Sequence, residues 1–226
     1  MKLTLFDLDG TLLPKDSDHA FGEFVVALGW ADRDDFRRRN DAFYEDYLAG
    51  RLDIDAYVDF ATAPWRGRPA DDLARATARF LKEVVRPMLH PAALGLVQRH
   101  QREGDLVAIV TATNDFITRP IAGLLGVDEL IATDLARDEA GRVTGSIHGV
   151  PAFREGKITR VQQWLSARER ALGDFECSTF YSDSTNDLPL LEAVTHPVAT
   201  NPGATLERIA RDRGWPVLKF FEAAPA

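Results

Sequence analysis

Short apolar runs that end in polar residues recur along the chain, and they predict the strands of a parallel sheet. Residues 3–6 run into Asp7, residues 106–110 run into Thr111, and residues 178–181 run into an acidic loop. Uninterrupted apolar runs bounded by turn-forming residues are typical of strands that are buried on both faces. Shorter runs of this kind predict further strands at residues 130–133, 197–199 and 216–218.

The apolar spacing changes from continuous to helical between the first and second strands. Apolar residues recur there at intervals of three or four, first over residues 21–28 and then up to about residue 85. We therefore predict an α/β fold in which residues 1–13 and 87–226 form a sheet domain and residues 14–86 form an inserted, all-helical cap. The aromatic residues of the cap are expected to pack its own core, and none of them is assigned to a site.

Local signals predict where individual elements begin. Pro120 lacks a backbone N–H, so the helix around it is expected to begin near Thr118 or to bend there. Residues 138–142 have the composition of a turn, and residues 143–147 are expected to return as a strand. This hairpin is predicted to be an appendage of the main sheet.

Composition and charge argue against several classes of protein. Of the 226 residues 45% are hydrophobic, and no apolar stretch approaches the roughly 20 residues of a membrane span. Met1 leads straight into the first strand without a basic leader, so a cytoplasmic location is expected. The net charge of −8 disfavours binding to nucleic acids or anionic membranes, and one cysteine cannot form an intrachain disulfide.

Chemistry-bearing residues follow the predicted strands or open the predicted helices. Asp7 and Asp9 leave the first strand, Thr111 leaves the second, Lys157 opens a helix, and an acidic loop follows a later strand. The carboxyl ends of parallel strands meet at one edge of a sheet, so these loops are expected to converge. Each residue also has an ordinary explanation, as a surface turn, a helix cap or a solvated lysine. Their joint order makes those explanations improbable.

This order resembles the haloacid dehalogenase superfamily of phosphohydrolases, and within it the phosphoserine phosphatase-like branch. The resemblance rests on Asp7-Leu8-Asp9-Gly10-Thr11, on Thr111 after a strand, on Lys157, and on Asp183 with Asn186-Asp187. It extends from Leu3 to about Val217. It implies a three-layer, Rossmann-like core with a helical cap between the first and second motifs.

The resemblance also implies a role for each motif residue. Asp7 would be the nucleophile that forms an aspartyl-phosphate, and Asp9 the general acid and base. Thr111, with the backbone around Ala112 and Thr113, and Lys157 would bind the phosphoryl group. The metal ligands would be the side chains of Asp7 and Asp183 and the carbonyl of Asp9. Asn186 would lie near the phosphate, and Asp187 would order metal-bound water and hold Lys157.

The motif residues favour Mg²⁺ as the cofactor. The acidic residues of the motifs need a counter-charge at neutral pH, and a divalent cation supplies one. Oxygen ligands favour Mg²⁺ over zinc, since His and Cys are missing from these motifs. The partner is expected to be a small soluble phosphomonoester, and a homodimer is left open.

The cap is expected to set the choice of substrate, and here the sequence departs from phosphoserine phosphatases. The position of their amino-binding glutamate falls at Asp16, and that of their carboxylate-binding arginine falls near Ala61, although Arg51, Arg66 or Arg68 could replace it. An acidic entrance would favour an ammonium-bearing leaving group without a carboxylate, as in histidinol phosphate or another amino-alcohol phosphate. Asp16, Asp18 and Glu23 would form this entrance. Alternatively, Asp16 and Asp18 only cap a helix that begins near His19.

Two other functions would use the same residues. A phosphotransferase would pass the phosphoryl group from the aspartyl-phosphate to an acceptor alcohol. A receiver-type regulator binds or keeps a phosphoryl group without turnover, and it does not need an acid two residues after the nucleophile. The presence of Asp9 favours a phosphatase over the regulator.

Overall fold

A six-stranded parallel sheet forms the centre of the protein. The computed structural model describes residues 1–221. The strands are β1 (Leu3–Phe6), β2 (Leu106–Asn114), β3 (Glu129–Thr133), β6 (Ser178–Ser182), β7 (His196–Thr200) and β8 (Val217–Leu218). Their order is β3-β2-β1-β6-β7-β8, and every neighbouring pair is parallel. The carboxyl ends of β1, β2 and β6 therefore lie side by side, as the sequence predicts.

Helices cover both faces of this sheet and produce the three layers of the Rossmann-like α/β fold. These helices are α6 (Pro91–Arg102), α7 (Asp115–Leu125), α8 (Glu155–Ser166), α9 (Leu188–Ala193) and α10 (Ala204–Asp212). Leu3 and Leu5 of β1 pack with apolar residues of α8, α9 and α10 on one face, whereas Phe6 points to the opposite face and packs with α6 and α7. The alternation follows from the pleat, which sends successive side chains to opposite faces.

The end of β2 differs from the prediction of a loop after residue 110. The strand continues to Asn114, but between the pairs Val110–Ile131 and Asn114–Thr133 it advances four residues while β3 advances two. This irregularity lets residues from both faces of the strand reach the cleft described below.

The start of α7 near Thr118, one of the two alternatives for this helix, is wrong for a physical reason, whereas a bend stays a prediction. Asn114 caps the helix, because its side chain accepts a hydrogen bond from the Ile117 N–H at 3.2 Å, and the Thr118 hydroxyl donates to the Asn114 carbonyl at 2.8 Å. The helix therefore begins at Asp115 and carries Pro120 in its interior. A strong cap here outweighs the one backbone hydrogen bond that proline removes.

Helices occupy the segment between β1 and β2. They are α1 (Ser17–Ala27), α2 (Arg33–Leu48), α3 (Ile54–Thr62) and α4 (Ala70–Phe80), which continues through a π-helical turn (Leu81–Val85) into α5 (Arg86–Met88). Aromatic contacts join the insert to the sheet domain, among them Trp65 stacked on Phe116 at 4.3 Å between ring centroids. The division into a cap of residues 14–86 and a core stays a prediction. No helix in residues 1–221 is long and apolar enough to cross a membrane.

The predicted hairpin is present and forms its own two-stranded sheet. Its strands are β4 (Leu135–Arg137) and β5 (Val143–Ile147), paired antiparallel. β5 packs against α3, and Arg66, in the turn after α3, donates to the Thr144 carbonyl at 2.9 Å and pairs with Asp59 at 2.7 Å. The hairpin therefore links the sheet domain to the helical insert.

Candidate active site

The turn after β1 places two carboxylates at the edge of the sheet. Asp7 is 4% exposed, and its backbone N–H donates to the Tyr181 carbonyl of β6 at 2.9 Å. Gly10 has φ +75°, and a Cβ there would lie 2.1 Å from a carboxylate oxygen of Asp183. Only glycine satisfies both conditions, so it lets the β1 turn and the β6 loop approach each other.

Lys157, in the first turn of α8, joins the two acidic loops. Its ammonium group donates to Asp7 Oδ1 at 2.8 Å and to Asp187 Oδ2 at 2.7 Å. All three side chains are almost fully buried. Burial alone would lower the pKa of Lys157, but the charges of Asp187 and Asp7 outweigh it and hold the pKa above its usual value. Lys157 is therefore a permanent cation between two carboxylates.

Thr11 and Asp183 complete the carboxylate side of the site. The Thr11 hydroxyl lies 3.4 Å from both Asp7 Oδ2 and Asp183 Oδ1, and it accepts a hydrogen bond from the Asp183 N–H at 3.1 Å. Burial raises the pKa of Asp183 well above its usual value, and the charges of Asp7 and Asp187 raise it further. Burial likewise raises the pKa of Asp7 to about 6 against the lowering effect of Lys157.

Asp9 lies in a different environment from Asp7. It accepts hydrogen bonds from the Ser17 N–H at 2.8 Å and from the Thr113 hydroxyl at 2.9 Å. Burial, followed by the charges of Asp16 and Asp7, raises its pKa well above the usual value. The two carboxyl groups of one short motif thus differ in their partners, since Lys157 contacts Asp7 and only neutral donors contact Asp9.

The remaining motif residues divide between the cleft and its surroundings. Thr111 and Ala112 line the cleft, and the Thr111 hydroxyl accepts a hydrogen bond from the Thr113 N–H at 3.2 Å. Thr113 also lines it, but its hydroxyl is bonded to Asp9. The Asn186 side chain donates to the Tyr47 carbonyl of α2 at 3.0 Å, so it tethers the β6 loop to the helical insert.

Of the three carboxylates near the start of α1, Asp16 combines the two roles that the sequence presents as alternatives. Asp16 caps α1, because its Oδ1 accepts from the His19 N–H at 2.7 Å, and it also lines the cleft. The helix begins at Ser17, so Asp18 lies in its first turn and is not a cap, which corrects that prediction. Glu23 pairs with Arg37 and is absent from the residues that line the cleft.

The cleft itself has about 620 Å³ of empty space, part of which is open to solvent. Among the described residues that line it there is no lysine and no arginine. Arg51 pairs with Asp46, Arg66 with Asp59, and Arg68 lies over Trp30, so none of the three suggested arginines faces the cleft. The lining residues are Asp7, Asp9, Asp16, Asp18, His19, Asn40, Phe43, Tyr44, Tyr47, Leu52, Ile54, Tyr57, Val58, Thr111, Ala112, Thr113 and Asn114.

Aromatic side chains of the insert line the cleft, contrary to the expectation that they only pack its core. Phe43, Tyr44 and Tyr47 share one face of α2 with Asn40, at positions i, i+3, i+4 and i+7, and Tyr57 comes from α3. The spacing was visible in the sequence, but it is also the spacing of a core stripe. The polar member, Asn40, was the signal that this face borders a cavity.

The donor set fits a hard divalent cation. Asp7, Asp9 and Asp183 all have raised pKa values because they are buried close to one another, and a single ammonium group cannot neutralise them. Side-chain carboxylates and the carbonyl of Asp9 are oxygen ligands of the kind that Mg²⁺ prefers. The residues present therefore suit a magnesium ion.

The chain matches a known protein family, and it is similar to curated and solved proteins over most of its length. A family model described as haloacid dehalogenase-like hydrolase matches residues 4–192. A histidinol-phosphatase of Neisseria meningitidis serogroup C is 44% identical over 218 residues, which cover 96% of this chain and 98% of that relative. A Bordetella pertussis crystal structure of unknown function has a TM-score of 0.92 and 48% identity, and covers 97% of this chain and 99% of its own.

A more distant solved structure shares the fold alone. It is a substrate-bound phosphoserine phosphatase with a TM-score of 0.68 and 17% sequence identity. The match covers 96% of this chain and 92% of that protein. Both the sheet and the helical segment between β1 and β2 therefore lie within the aligned part.

Proposed function

Because this chain belongs to the haloacid dehalogenase-like hydrolase family and is a phosphatase, we propose that it hydrolyses a small amino-alcohol phosphate through an aspartyl-phosphate, with Mg²⁺ as cofactor. The observation that carries this proposal is the contrast between Asp7, paired with buried Lys157, and Asp9, held by neutral donors only. Two carboxyl groups whose environments differ in this way can divide the roles of nucleophile and acid.

Asp7 is the nucleophile of the proposed reaction. Its pKa of about 6 leaves it ionised at neutral pH, and Lys157 fixes one of its oxygens. The other oxygen is free to attack phosphorus apart from its long contact with Thr11. Attack forms the Asp7–phosphoryl bond and breaks the bond from phosphorus to the ester oxygen, so one slow displacement becomes two faster ones.

Asp9 is the general acid and then the general base. Burial and the charges of Asp16 and Asp7 raise its pKa, which favours the protonated carboxyl group that the departing alkoxide needs. Once ionised, the same carboxylate removes a proton from the water that hydrolyses the aspartyl-phosphate. The Ser17 N–H and Thr113 hydroxyl hold the carboxyl group in place through both steps.

The other residues bind the phosphoryl group and the cofactor. Asp7, Asp183 and the carbonyl of Asp9 would hold Mg²⁺, which supplies positive charge to the phosphoryl oxygens. Thr111, with the backbone at Ala112, would donate hydrogen bonds to another phosphoryl oxygen. Lys157 keeps Asp7 ionised and is itself oriented by Asp187, which also accepts from the Ser182 hydroxyl at 2.6 Å.

The cleft favours a leaving group that carries a positive charge or an N–H hydrogen-bond donor. Its described lining contains Asp16 and Asp18 and no basic side chain other than His19, so a substrate carboxylate would meet no arginine or lysine. An amino alcohol without a carboxylate suits this charge pattern. The 44% identical relative is named as a histidinol-phosphatase, which supports histidinol phosphate as the first substrate to test.

The test is phosphate release from a panel of esters in Mg²⁺ or EDTA. The panel contains histidinol phosphate, phosphoserine and p-nitrophenyl phosphate, and the proteins are the wild type, Asp7→Asn and Asp128→Asn, a control at an exposed carboxylate. We expect metal-dependent release that is highest for histidinol phosphate, is lost in Asp7→Asn and is kept in Asp128→Asn. Preference for phosphoserine would contradict the amino-alcohol assignment, and transfer to added alcohols without phosphate release would indicate a phosphotransferase.

A further inference from the structure

One end of the cleft is built from side chains that the phosphatase motifs do not include. We call it the distal subsite and define it by Asp18, Asn40, Tyr57 and Asn114, all of which line the cleft. Asn40 donates to the His19 carbonyl at 3.3 Å, and a Cβ on Gly22 would lie 2.7 Å from its amide nitrogen. Since residues 18 and 22 share one face of α1, Asn40 borders the same side of the helix as Asp18.

The distal subsite lies beyond the phosphoryl group, along β2. Asn114 donates to Asp18 Oδ2 at 3.4 Å and follows Thr111 by three residues on the same strand. Three residues of strand span at most about 10 Å. Asp18 is therefore positioned to meet the far end of a leaving group whose phosphate lies at Thr111.

Asp18 is a buried carboxylate without a cationic partner in the described chain. It is 7% exposed, and its hydrogen-bonding groups are the Asn114 amide and the Tyr57 hydroxyl, both neutral. The neighbouring charge of Asp16 repels it, and no ion pair of residues 1–221 involves either carboxylate. A neutral side chain would make the same hydrogen bond to Asn114 without the cost of burying a charge.

An aromatic ring faces this carboxylate, and other rings line the same cleft. Tyr57 faces Asp18 from α3, and Phe43, Tyr44 and Tyr47 line the cleft along one face of α2. Aromatic faces attract cations and pack well against flat heteroaromatic rings. A carboxylate that is faced by an aromatic ring, in a cleft lined by others, suits a ring that carries an N–H or a positive charge.

Resting on the proposed function, we infer that Asp18 is the specificity-determining residue that binds the nitrogen-bearing ring of the leaving group, while the walls of the cleft pack against that ring. Asp16 is less suited to this role, because one of its oxygens is already bonded to the His19 N–H. The site therefore selects phosphate esters whose alcohol ends in an imidazole or a similar cationic ring. Esters of small uncharged alcohols lack the group that Asp18 binds.

Binding to inactive protein tests this inference without turnover. Calorimetry with Mg²⁺ compares histidinol phosphate with propyl phosphate in Asp7→Asn alone, and after adding Asp18→Asn or Glu23→Gln. Glu23→Gln removes a negative charge from the same helix, but outside the cleft. We expect the preference for histidinol phosphate to fall about tenfold or more with Asp18→Asn, as for a lost charged hydrogen bond. It should stay within about twofold with Glu23→Gln.

Two outcomes would overturn the inference. One is equal affinity for the two esters in Asp7→Asn, and the other is an undiminished preference after Asp18→Asn. If Asp18→Asn does not fold, Tyr57→Phe tests the same subsite, because it keeps the ring and removes the hydroxyl that faces Asp18. An about threefold loss of preference is expected there, as for one neutral hydrogen bond, and no loss would count against the role of Asp18. Phosphate release by the wild type tests the proposed function separately, so the two failures remain distinguishable.

Discussion

The ammonium group of Lys157 lies 2.8 Å from a carboxylate oxygen of Asp7, and both side chains are almost fully excluded from water. The two residues are 150 positions apart in the sequence, on α8 and after β1. A buried ion pair contributes little net stability when complete, but the loss of one member strands the other charge. The pair therefore couples the ionisation of the proposed nucleophile to the stability of the fold.

Lys157→Met is expected to lower the free energy of unfolding by about 3–5 kcal/mol, because Asp7 and Asp187 would remain buried without their cation. Urea unfolding at neutral pH measures this change. Lys82→Met, at an exposed lysine of the helical insert, is the matched control and should change stability by less than about 0.5 kcal/mol. A loss below about 1 kcal/mol for Lys157→Met would show that the pair is exposed to water and not a buried contact.

Asp9→Asn is expected to separate the two chemical steps on p-nitrophenyl phosphate. The nitrophenolate leaves without a proton, so aspartyl-phosphate still forms, but the variant has no base to activate water for its breakdown. Rapid mixing should show a burst of one nitrophenolate per protein followed by slow turnover, and mass spectrometry should find the phosphoryl group on Asp7. Slow turnover without a burst would mean that Asp9 is needed for formation of the aspartyl-phosphate or for substrate binding.

Much of the fold and of the motif geometry could be predicted because the signals are local. An apolar run that ends in Asp7-Leu8-Asp9-Gly10-Thr11 marks both a strand and the turn after it. Parallel pairing then brings the ends of β1, β2 and β6 together, so residues far apart in sequence become neighbours. The prediction that α7 starts near Thr118 is wrong because a cap at Asn114 and a break at Pro120 are competing local signals, and only the packed structure shows which prevails.

The lining of the cleft could not be predicted in the same way. Phe43 and Tyr47 have the spacing of a buried stripe, and which cavity they face depends on how α2 packs over the sheet domain. For Asp18 the sequence leaves two alternatives open, an acidic entrance to the site or a helix cap, since a difference of two positions decides whether a carboxylate caps a helix or points into the cleft. Such distinctions depend on tertiary geometry that periodicity does not contain.

Asp18→Asn is expected to stabilise the ligand-free protein at alkaline pH. Burial raises the pKa of Asp18 to about 7, so the folded protein keeps this proton up to about pH 7, whereas the unfolded chain releases it near pH 4. The carboxyl group therefore lowers stability progressively as pH rises through that interval, and most above pH 7. In EDTA, the free energy of unfolding by urea should be a few kcal/mol higher for the variant than for the wild type at pH 8, and this difference should disappear near pH 4. The same advantage at both pH values would refute this origin.

Mg²⁺ is expected to raise the melting temperature of the wild type by several degrees, since an ion bound only to the folded state stabilises it by mass action. Asp183→Asn should lose most of this response. It should also melt higher than the wild type in EDTA, because the pKa of Asp183 is raised by burial and by the charges of Asp7 and Asp187. Thermal denaturation with and without Mg²⁺ measures both effects. Asp128→Asn should respond as the wild type does, and a full Mg²⁺ response in Asp183→Asn would place the ion elsewhere.

Gly145→Ala is expected to loosen the hairpin from the helical insert. Gly145 has φ +94°, and a Cβ there would lie within 3 Å of the Arg66 guanidinium, which now bonds the Thr144 carbonyl and pairs with Asp59. Gly149→Ala is the matched control, because φ is +71° there and no neighbouring atom lies within 4 Å. Both variants carry a backbone penalty of about 1–2 kcal/mol, and Gly145→Ala should lose about 1 kcal/mol more through the displaced Arg66. The difference between the two variants in the free energy of unfolding by urea isolates the contribution of the Arg66 contact. Equal losses of stability would show that Arg66 does not stabilise the link between the hairpin and the insert.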